Sequence, residues 1–421
     1  MYFSNKLNDQ INITHDKLGK GSFGSVYKAI SNNKEIAIKC EGKEKNNNLT
    51  LLREFKICRK IFIIEKYLNY LRNTIIENLN LDDENKDNEN KDNNENDNNE
   101  NKNNENNENK NNDLKKKVIP LEEYEKVING FMNNNSIIIF NHLTENNILL
   151  VPEELKSMWD LKFIPDTFSY IECGEYNFLT MELCEENFEN ILEKYNFDED
   201  SKYHIALYLL NIMSYVHSCG IIHRDIKLSN FVMDKNFKPR LIDLGLSKEY
   251  YKYENGKVLP INPYHLKSIT GTIRYISLNV HGLNSPNIND DLISLCYCLI
   301  VIFLGKNLPW VGHKKDVGKF EIENHVHENC PCGYHKNKKN NNLKLNTIAE
   351  IKFHTALEEL TEFKYPFLVK WLKYLYNQRP KQMPSYNYLY KTLNNEYKNF
   401  KNLRDYDFKI IEKKEQKSKN K

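Results

Sequence analysis

The sequence predicts an α+β fold of two lobes, an antiparallel β small lobe over residues 1–184 and a mainly α-helical large lobe over 185–398. Three stretches predict it. Leu18-Gly19-Lys20-Gly21-Ser22-Phe23-Gly24-Ser25-Val26 sets glycines among alternating strand-like residues, the pattern of a hairpin, and leads on to Glu35-Ile36-Ala37-Ile38-Lys39-Cys40, a strand carrying one lysine. Asn211-Ile212-Met213-Ser214-Tyr215-Val216-His217 reads as the end of a helix with an apolar stripe. Phe231-Val232-Met233 and Arg240-Leu241-Ile242 read as two short strands around a turn, a rigid mount for the side chains at their ends. A length of 421 residues leaves room for two lobes, a sizeable core and insertions.

In chain order the glycine hairpin comes first. Its glycines let the turn approach phosphates closely while backbone N–H groups stay free to donate. A dinucleotide fingerprint of the same spacing opens a helix and carries an acid about twenty residues on; here a strand and a lysine follow, so the dinucleotide reading is set aside. Leu51 to Arg59 has helical spacing and holds Glu54, a partner for Lys39. The alternative for Glu54 is a solvated helix-surface acid, since Glu65 and Glu77 repeat the polar pattern.

Residues 60–163 read as an insertion, because the distance from Glu54 to the apolar run after Ile164 is far longer than one connection. Lys60 to Leu81 continues the helical pattern. Asp82 to Asp113 contains only Asn, Glu, Asp and Lys, has no apolar area to bury, and is expected to be disordered, a neutral expansion more than an interaction tail. Leu114 to Phe163 is different: Ile137-Ile138-Ile139-Phe140, Ile148-Leu149-Leu150-Val151 and Met158-Trp159 can pack, which predicts an ordered appendage on the small lobe.

The chemistry concentrates in His223-Arg224-Asp225-Ile226-Lys227-Leu228-Ser229-Asn230 and Leu241-Ile242-Asp243-Leu244-Gly245. A hydroxyl that attacks a phosphoryl group needs a carboxylate to take its proton, a cation on the moving phosphate, and oxygen ligands for magnesium. Asp225 is the candidate base, Lys227 the cation, and Asn230 with Asp243 the metal ligands. These strings are similar to the catalytic loop and metal-binding loop of protein kinases. The resemblance implies a bilobal protein kinase fold with ATP and Mg2+ as cofactors. It places Gly19, Lys20, Gly21, Ser22, Phe23, Gly24, Val26 and Ala37 around the nucleotide, and Lys39, paired with Glu54, on its inner phosphates. It also makes the strand Tyr176 to Met181 the back wall of the adenine pocket, with backbone groups of Glu182 and Cys184 along the adenine edge.

Further strings narrow the resemblance. Thr270-Gly271-Thr272-Ile273-Arg274-Tyr275-Ile276-Ser277-Leu278-Asn279, then Asp290-Asp291-Leu292-Ile293-Ser294-Leu295, then Leu308-Pro309-Trp310-Val311-Gly312 are similar to the marks of the casein kinase 1 group of serine/threonine kinases, and the similarity resumes at Tyr365-Pro366-Phe367 and runs to about Leu393. It implies a serine or threonine acceptor, with Thr272 beside Lys227, and Asp291 bracing the catalytic loop. It implies a preference for acidic or phospho-primed substrates, read by an anion site to which Arg274 and Gly312 contribute, the chemistry of an arginine fork on phosphate. Leu244 stands where the family has Phe, as an apolar filler of the same place, and Asn287 to Asn289 stand where the family tends to be basic.

Composition bounds the rest. Lys and Arg number 60 against 58 Asp and Glu, a balance that gives no reason to expect nucleic acid or an anionic membrane as partner. No signal peptide, acylation start or twenty-residue apolar run is visible, so the expectation is a soluble cytoplasmic protein; it is also expected to be monomeric, and the kinase resemblance implies protein substrates. The nine cysteines are scattered, mostly inside apolar segments (Cys40, Cys58, Cys173, Cys184, Cys296, Cys298), which suits reduced thiols. His325, His327, Cys330, Cys332 and His335 sit close enough for a tetrahedral Zn2+ site inside a second insertion at about 321–345, but Cys-x-Cys is tighter than the common zinc spacing, and a flexible loop is the favoured reading. Residues 399–421 read as a Lys-rich tail, with a nuclear signal as the alternative reading of its end. The rival from another class is a pseudokinase scaffold that binds partners through its insertions.

Overall fold

The computed structural model describes residues 6–8, 11–21, 24–43, 50–89, 134–146, 148–312, 348–378 and 382–413. The small lobe is a six-stranded antiparallel sheet of β1 (Lys6–Asn8), β2 (Ile11–Gly21), β3 (Gly24–Ser31), β4 (Lys34–Gly42), β5 (Thr167–Cys173) and β6 (Tyr176–Glu182), in the order β1-β2-β3-β4-β6-β5. Period-2 alternation explains its core: Ile11, Ile13, Ala29, Ile36, Ile38, Cys40 and Phe178 share one buried cluster. Helix α1 (Thr50–Glu89) crosses β4, β5 and β6, and Phe55 stacks on Tyr170 with ring centres 6.1 Å apart. Its buried positions, Leu51, Glu54, Ile57, Ile61 and Ile64, recur every three or four residues and draw one stripe along the helix.

Two expectations about the insertion change. Helix α1 runs as far as Glu89, into the tract expected to be disordered; the remainder of that tract lies outside the described residues. The appendage, built on α2 (Asn135–Glu145) and α3 (Glu153–Lys156), is seated on the large lobe as well as on α1. Ile137, Phe140, Leu143, Leu149, Leu155, Trp159 and Phe163 join the large-lobe core, together with Ile57, Ile61, Ile64 and Tyr67 of α1. The physical reason is length: a 40-residue helix outruns the sheet beside it, and the stripe beyond the strands is covered by α2 and the large lobe.

The large lobe continues with α4 (Phe188–Lys194), β7 (Tyr195–Phe197) and α5 (Glu199–Ser218), which Asp198 caps by accepting from the Ser201 N–H at 2.7 Å. After β8 (Ile221–Ile222) come the hairpin of β9 (Phe231–Met233) and β10 (Pro239–Leu241), then β11 (Lys248–Glu249) and the ribbon of β12 (Tyr251–Glu254) and β13 (Lys257–Pro260). Helices α6 (Leu278–His281), α7 (Ile288–Leu304), α8 (Ile348–His354), α9 (Leu357–Leu360), α10 (Pro366–Tyr376) and α11 (Tyr386–Glu396) complete it. Helix α7 starts at a capping box of Asn287 and Asp290 and is buried almost throughout. The lobe also extends past the expected limit at 398: Leu403 and Tyr406 are buried, and β14 (Ile410–Glu412) pairs with β7. The second insertion lies outside the described residues. Among the described residues no helix is long and apolar enough to cross a membrane.

Candidate active site

The site is assembled where the sheet, α1 and the loops after β8 and β10 meet. Gly19, Lys20 and Gly21 lie on β2 opposite Val26, Ser25 and Gly24 of β3, so the glycine stretch is the expected hairpin; Ser22 and Phe23 lie outside the described residues. Gly24 has to be glycine for a reason of space, since a Cβ there would stand 2.0 Å from the Cys40 carbonyl oxygen of β4. On the other side of the sheet, Ala37 of β4 is in register with Met181 of β6, both on the wall expected to back the adenine. The Glu182 N–H, expected along the adenine edge, donates to Asp166 O at 2.8 Å. Burial, helped by Glu182, pushes the Cys184 thiol up to about 12, so it stays protonated and unreactive at neutral pH.

Lys39 Nζ lies 2.7 Å from Glu54 Oε2 and 2.5 Å from Asp243 Oδ1, joining a strand, a helix and a loop that are far apart in sequence. Burial opposes the lysine's charge, but the two carboxylates outweigh it and hold its pKa above the ordinary value. Burial raises Glu54, whereas for Asp243 the Lys39 charge prevails over burial and holds the carboxyl below the usual range. The reading of Glu54 as a solvated surface acid is overturned: it is 2% exposed. Asp243 has φ +65°, a left-handed conformation rare for a residue with a Cβ, which is the kind of local cost that functional loops carry. Leu244 is buried in the large-lobe core, filling the place expected for it. At Gly245 an added Cβ would come within 3.0 Å of Thr50 and 3.4 Å of Glu54, so this loop closes tightly on the first turns of α1.

In the catalytic loop the Asp225 carboxylate is held from two sides. Lys227 Nζ donates to Oδ2 and Thr272 Oγ1 to Oδ1, each at 2.7 Å. Asn230 Nδ2 donates to the Asp225 carbonyl at 2.9 Å, a bond that does not use the amide oxygen. That oxygen and the Asp243 carboxylate are hard donors, the kind magnesium takes alongside phosphate oxygens and water, so the residues present fit the metal. The two loops are tied together: Ile242 N–H donates to Asn230 O at 2.9 Å, and His223 Nε2 donates to Ile242 O at 3.1 Å. Beneath them Asp291, on α7, accepts from the backbone N–H groups of His223 at 2.6 Å and Arg224 at 2.8 Å, and from His217 at 3.2 Å. Burial works against the charge of Asp291, and His217 with these N–H groups overcomes it.

The expected anion site is partly engaged. Arg274 NH1 donates to Glu189 Oε1 of α4 at 3.1 Å, and the Arg274 carbonyl accepts from Trp310 Nε1 at 2.8 Å, which fastens the turn ending at Gly312 to this strip of chain. Glu189 was not legible as a site residue, and neither was Lys352. Lys352 Nζ donates to the carbonyls of Ile273 and Ile276 at 2.7 Å each and so fixes the backbone around Arg274 from below. The signal for it is its place on the apolar face that Ile348 and Phe353 mark. The zinc candidates His325, His327, Cys330, Cys332 and His335 lie outside the described residues, and among the described residues no group of three or more His, Cys, Asp or Glu is placed to hold a metal.

A family model described as Protein kinase domain matches residues 141–391, more than half of the chain. The match covers Asp225, Asn230 and Asp243; Lys39 and Glu54 precede it and join the site through the geometry above. With ion pairs that bring residues from both lobes onto one cleft, this chain belongs to the protein kinase domain family, whose activity is ATP-dependent phosphoryl transfer to protein substrates.

Proposed function

We propose that this chain transfers the γ-phosphate of ATP to serine and threonine hydroxyls, in the manner of the casein kinase 1 group. The observation that carries the reading is the Asp225 carboxylate gripped by Lys227 and Thr272. Asp225 orients the acceptor hydroxyl and receives its proton, and Lys227 lies beside it to offset the charge that spreads over the transferring phosphoryl group. Lys39, kept in place by Glu54, neutralises the inner phosphates. Asn230 and Asp243 would hold magnesium, which when bound would supply further positive charge to the phosphates. Asp291 acts through the backbone: two N–H groups anchored to one buried carboxylate fix the loop before any substrate arrives.

Substrate preference turns on Arg274. An incoming anion has to compete with Glu189 for the guanidinium, and a phosphate, with a charge of about −2, competes better than one carboxylate. Turnover on peptides is therefore expected to fall in the order phospho-primed, acidic, basic; a preference for basic peptides would remove the anion-site assignment.

The reading is tested by magnesium-dependent phosphoryl transfer to peptides with serine, threonine or tyrosine acceptors. Asp225→Asn and Lys39→Ala are each expected to lose about a hundredfold or more in kcat, with melting curves that still show a folded protein. Nucleotide binding without transfer in the unaltered protein would favour the pseudokinase scaffold instead, and transfer to tyrosine alone would refute the acceptor assignment.

A further inference from the structure

We propose that helix α2 of the insertion positions the catalytic machinery: packed on α1, it holds the turn before the catalytic loop and the β12–β13 ribbon in one arrangement through Ile139 and Leu143. The inference rests on the phosphotransfer reading above.

Helix α2 packs against α1, α5 and both strands of the ribbon. These contacts meet at Gly220, the turn residue between α5 and β8, where the backbone has φ +75°. A Cβ there would lie 2.8 Å from Ile139, 3.8 Å from Leu143 and 4.0 Å from Tyr251, so helix, turn and ribbon are already in van der Waals contact with no space to spare. The Gly220 carbonyl accepts from the Tyr250 N–H at 3.0 Å, and the Tyr250 hydroxyl donates to the His217 carbonyl at 2.5 Å. From Gly220 the chain passes through β8, paired to β11, straight into His223. On the opposite side α2 covers the stripe of α1 that follows Glu54, and Lys60 of that helix pairs with Glu249 of β11. One inserted helix thus touches the element that carries the Lys39 partner and the elements that lead into and out of the catalytic loop.

Kinase segments of this type are often ordered by a phosphate paired to arginine. Here Arg224 is engaged by the protein itself, donating to Leu246 O at 2.5 Å and to the Tyr264 hydroxyl at 3.2 Å. The turn before the catalytic loop and the loop itself are thus held by internal hydrogen bonds and by apolar contact with α2.

The test is Leu143→Ala in the full chain, read by steady-state kinetics and amide hydrogen exchange. The expected result is a fall in kcat of about tenfold, within the usual span of coupling between sites, with faster exchange in residues 50–60 and 251–260 and unchanged exchange in the middle of α5. The volume-conserving Leu143→Met is expected to restore both readouts. If Leu143→Ala does not fold, Ile139→Val should give the same pattern on a smaller scale. Unchanged kcat and exchange, or exchange that rises evenly through the large lobe, would each overturn the proposal. An unaltered protein that transfers no phosphate would end the phosphotransfer reading, and the exchange pattern would then decide the clamp by itself.

Discussion

The ammonium of Lys352 donates to two backbone carbonyls, sits 3.2 Å from His281 Nε2, and lies 5.3 Å from the ring centres of both Tyr297 and Trp310. Replacing it by Met would leave the carbonyls of Ile273 and Ile276 buried without these donors, at a cost of about 1–3 kcal/mol. The strip holding Thr272 and Arg274 would loosen. The expected result for Lys352→Met is a raised KM for peptide with the KM for ATP unchanged, measured by varying each at saturation of the other. Asp290 is a second buried charge with a readable consequence. Burial pushes its carboxyl up to about 6, against hydrogen bonds from Ser277, the Asn287 backbone and Asn279. A carboxyl raised in the fold from an ordinary 3.8 favours the native state below that value and loses the advantage as pH rises through 6, a span worth about 3 kcal/mol. Unfolding free energy is therefore expected to decline between pH 4 and 6 through this group, and Asp290→Asn, compared by denaturant titration, should flatten the decline. Asp225, Lys227, Asn230 and Asp243 were legible in the sequence because the chemistry demands those groups at short fixed offsets. Lys352 and Glu189 were not, since their partners lie 79 and 85 positions away and nothing local marks the pairing.

At the scale of elements, the hairpin of β2 and β3 could be read from its glycines, and its tightness follows from one contact. Gly24→Ala would drive a methyl group into the Cys40 carbonyl, forcing β3 away from β4 and displacing the phosphate-binding turn. The expected outcome is at least a tenfold weaker binding of ATP, seen by titration calorimetry, with the unfolding of the large lobe little changed. Helix α1 was legible from its spacing, and the apolar runs of the insertion were legible as packing material. What they pack against was not. An apolar stripe states that it will be covered and is silent about the cover, so α2 was expected to stay with the small lobe and is found bridging to α5.

For the molecule as a whole, two lobes were predictable because the glycine hairpin, the lysine strand, the Tyr176 to Cys184 stretch and the catalytic-loop strings resemble those of protein kinases, whose fold is bilobal. The closing limit was misplaced, since Lys-rich composition after 398 hid two anchors, Leu403 and Tyr406. Tyr406 stacks on His204 with ring centres 3.6 Å apart and donates to Asp200 at 2.7 Å, while the Lys401 N–H donates to His204 at 2.9 Å. A chain cut back to Glu396 is accordingly expected to melt several degrees lower in scanning calorimetry, in line with the loss of two buried side chains worth about 2–5 kcal/mol each.

The pairing of β14 with β7 gives this end of the chain a mechanical order of events. The ribbon has three residue pairs, and its Ile410 and Ile411 face solvent, so a protease or an unfoldase that pulls on the chain past Lys413 meets a weak grip first. Once Tyr406 is peeled away, the imidazole of His204, whose affinity for protons is depressed chiefly by burial, regains water and takes up charge near neutral pH. Unravelling would then feed on itself, passing from a loose ribbon to a newly ionised group at the head of α5, and degradation from this side should quicken in mildly acidic surroundings.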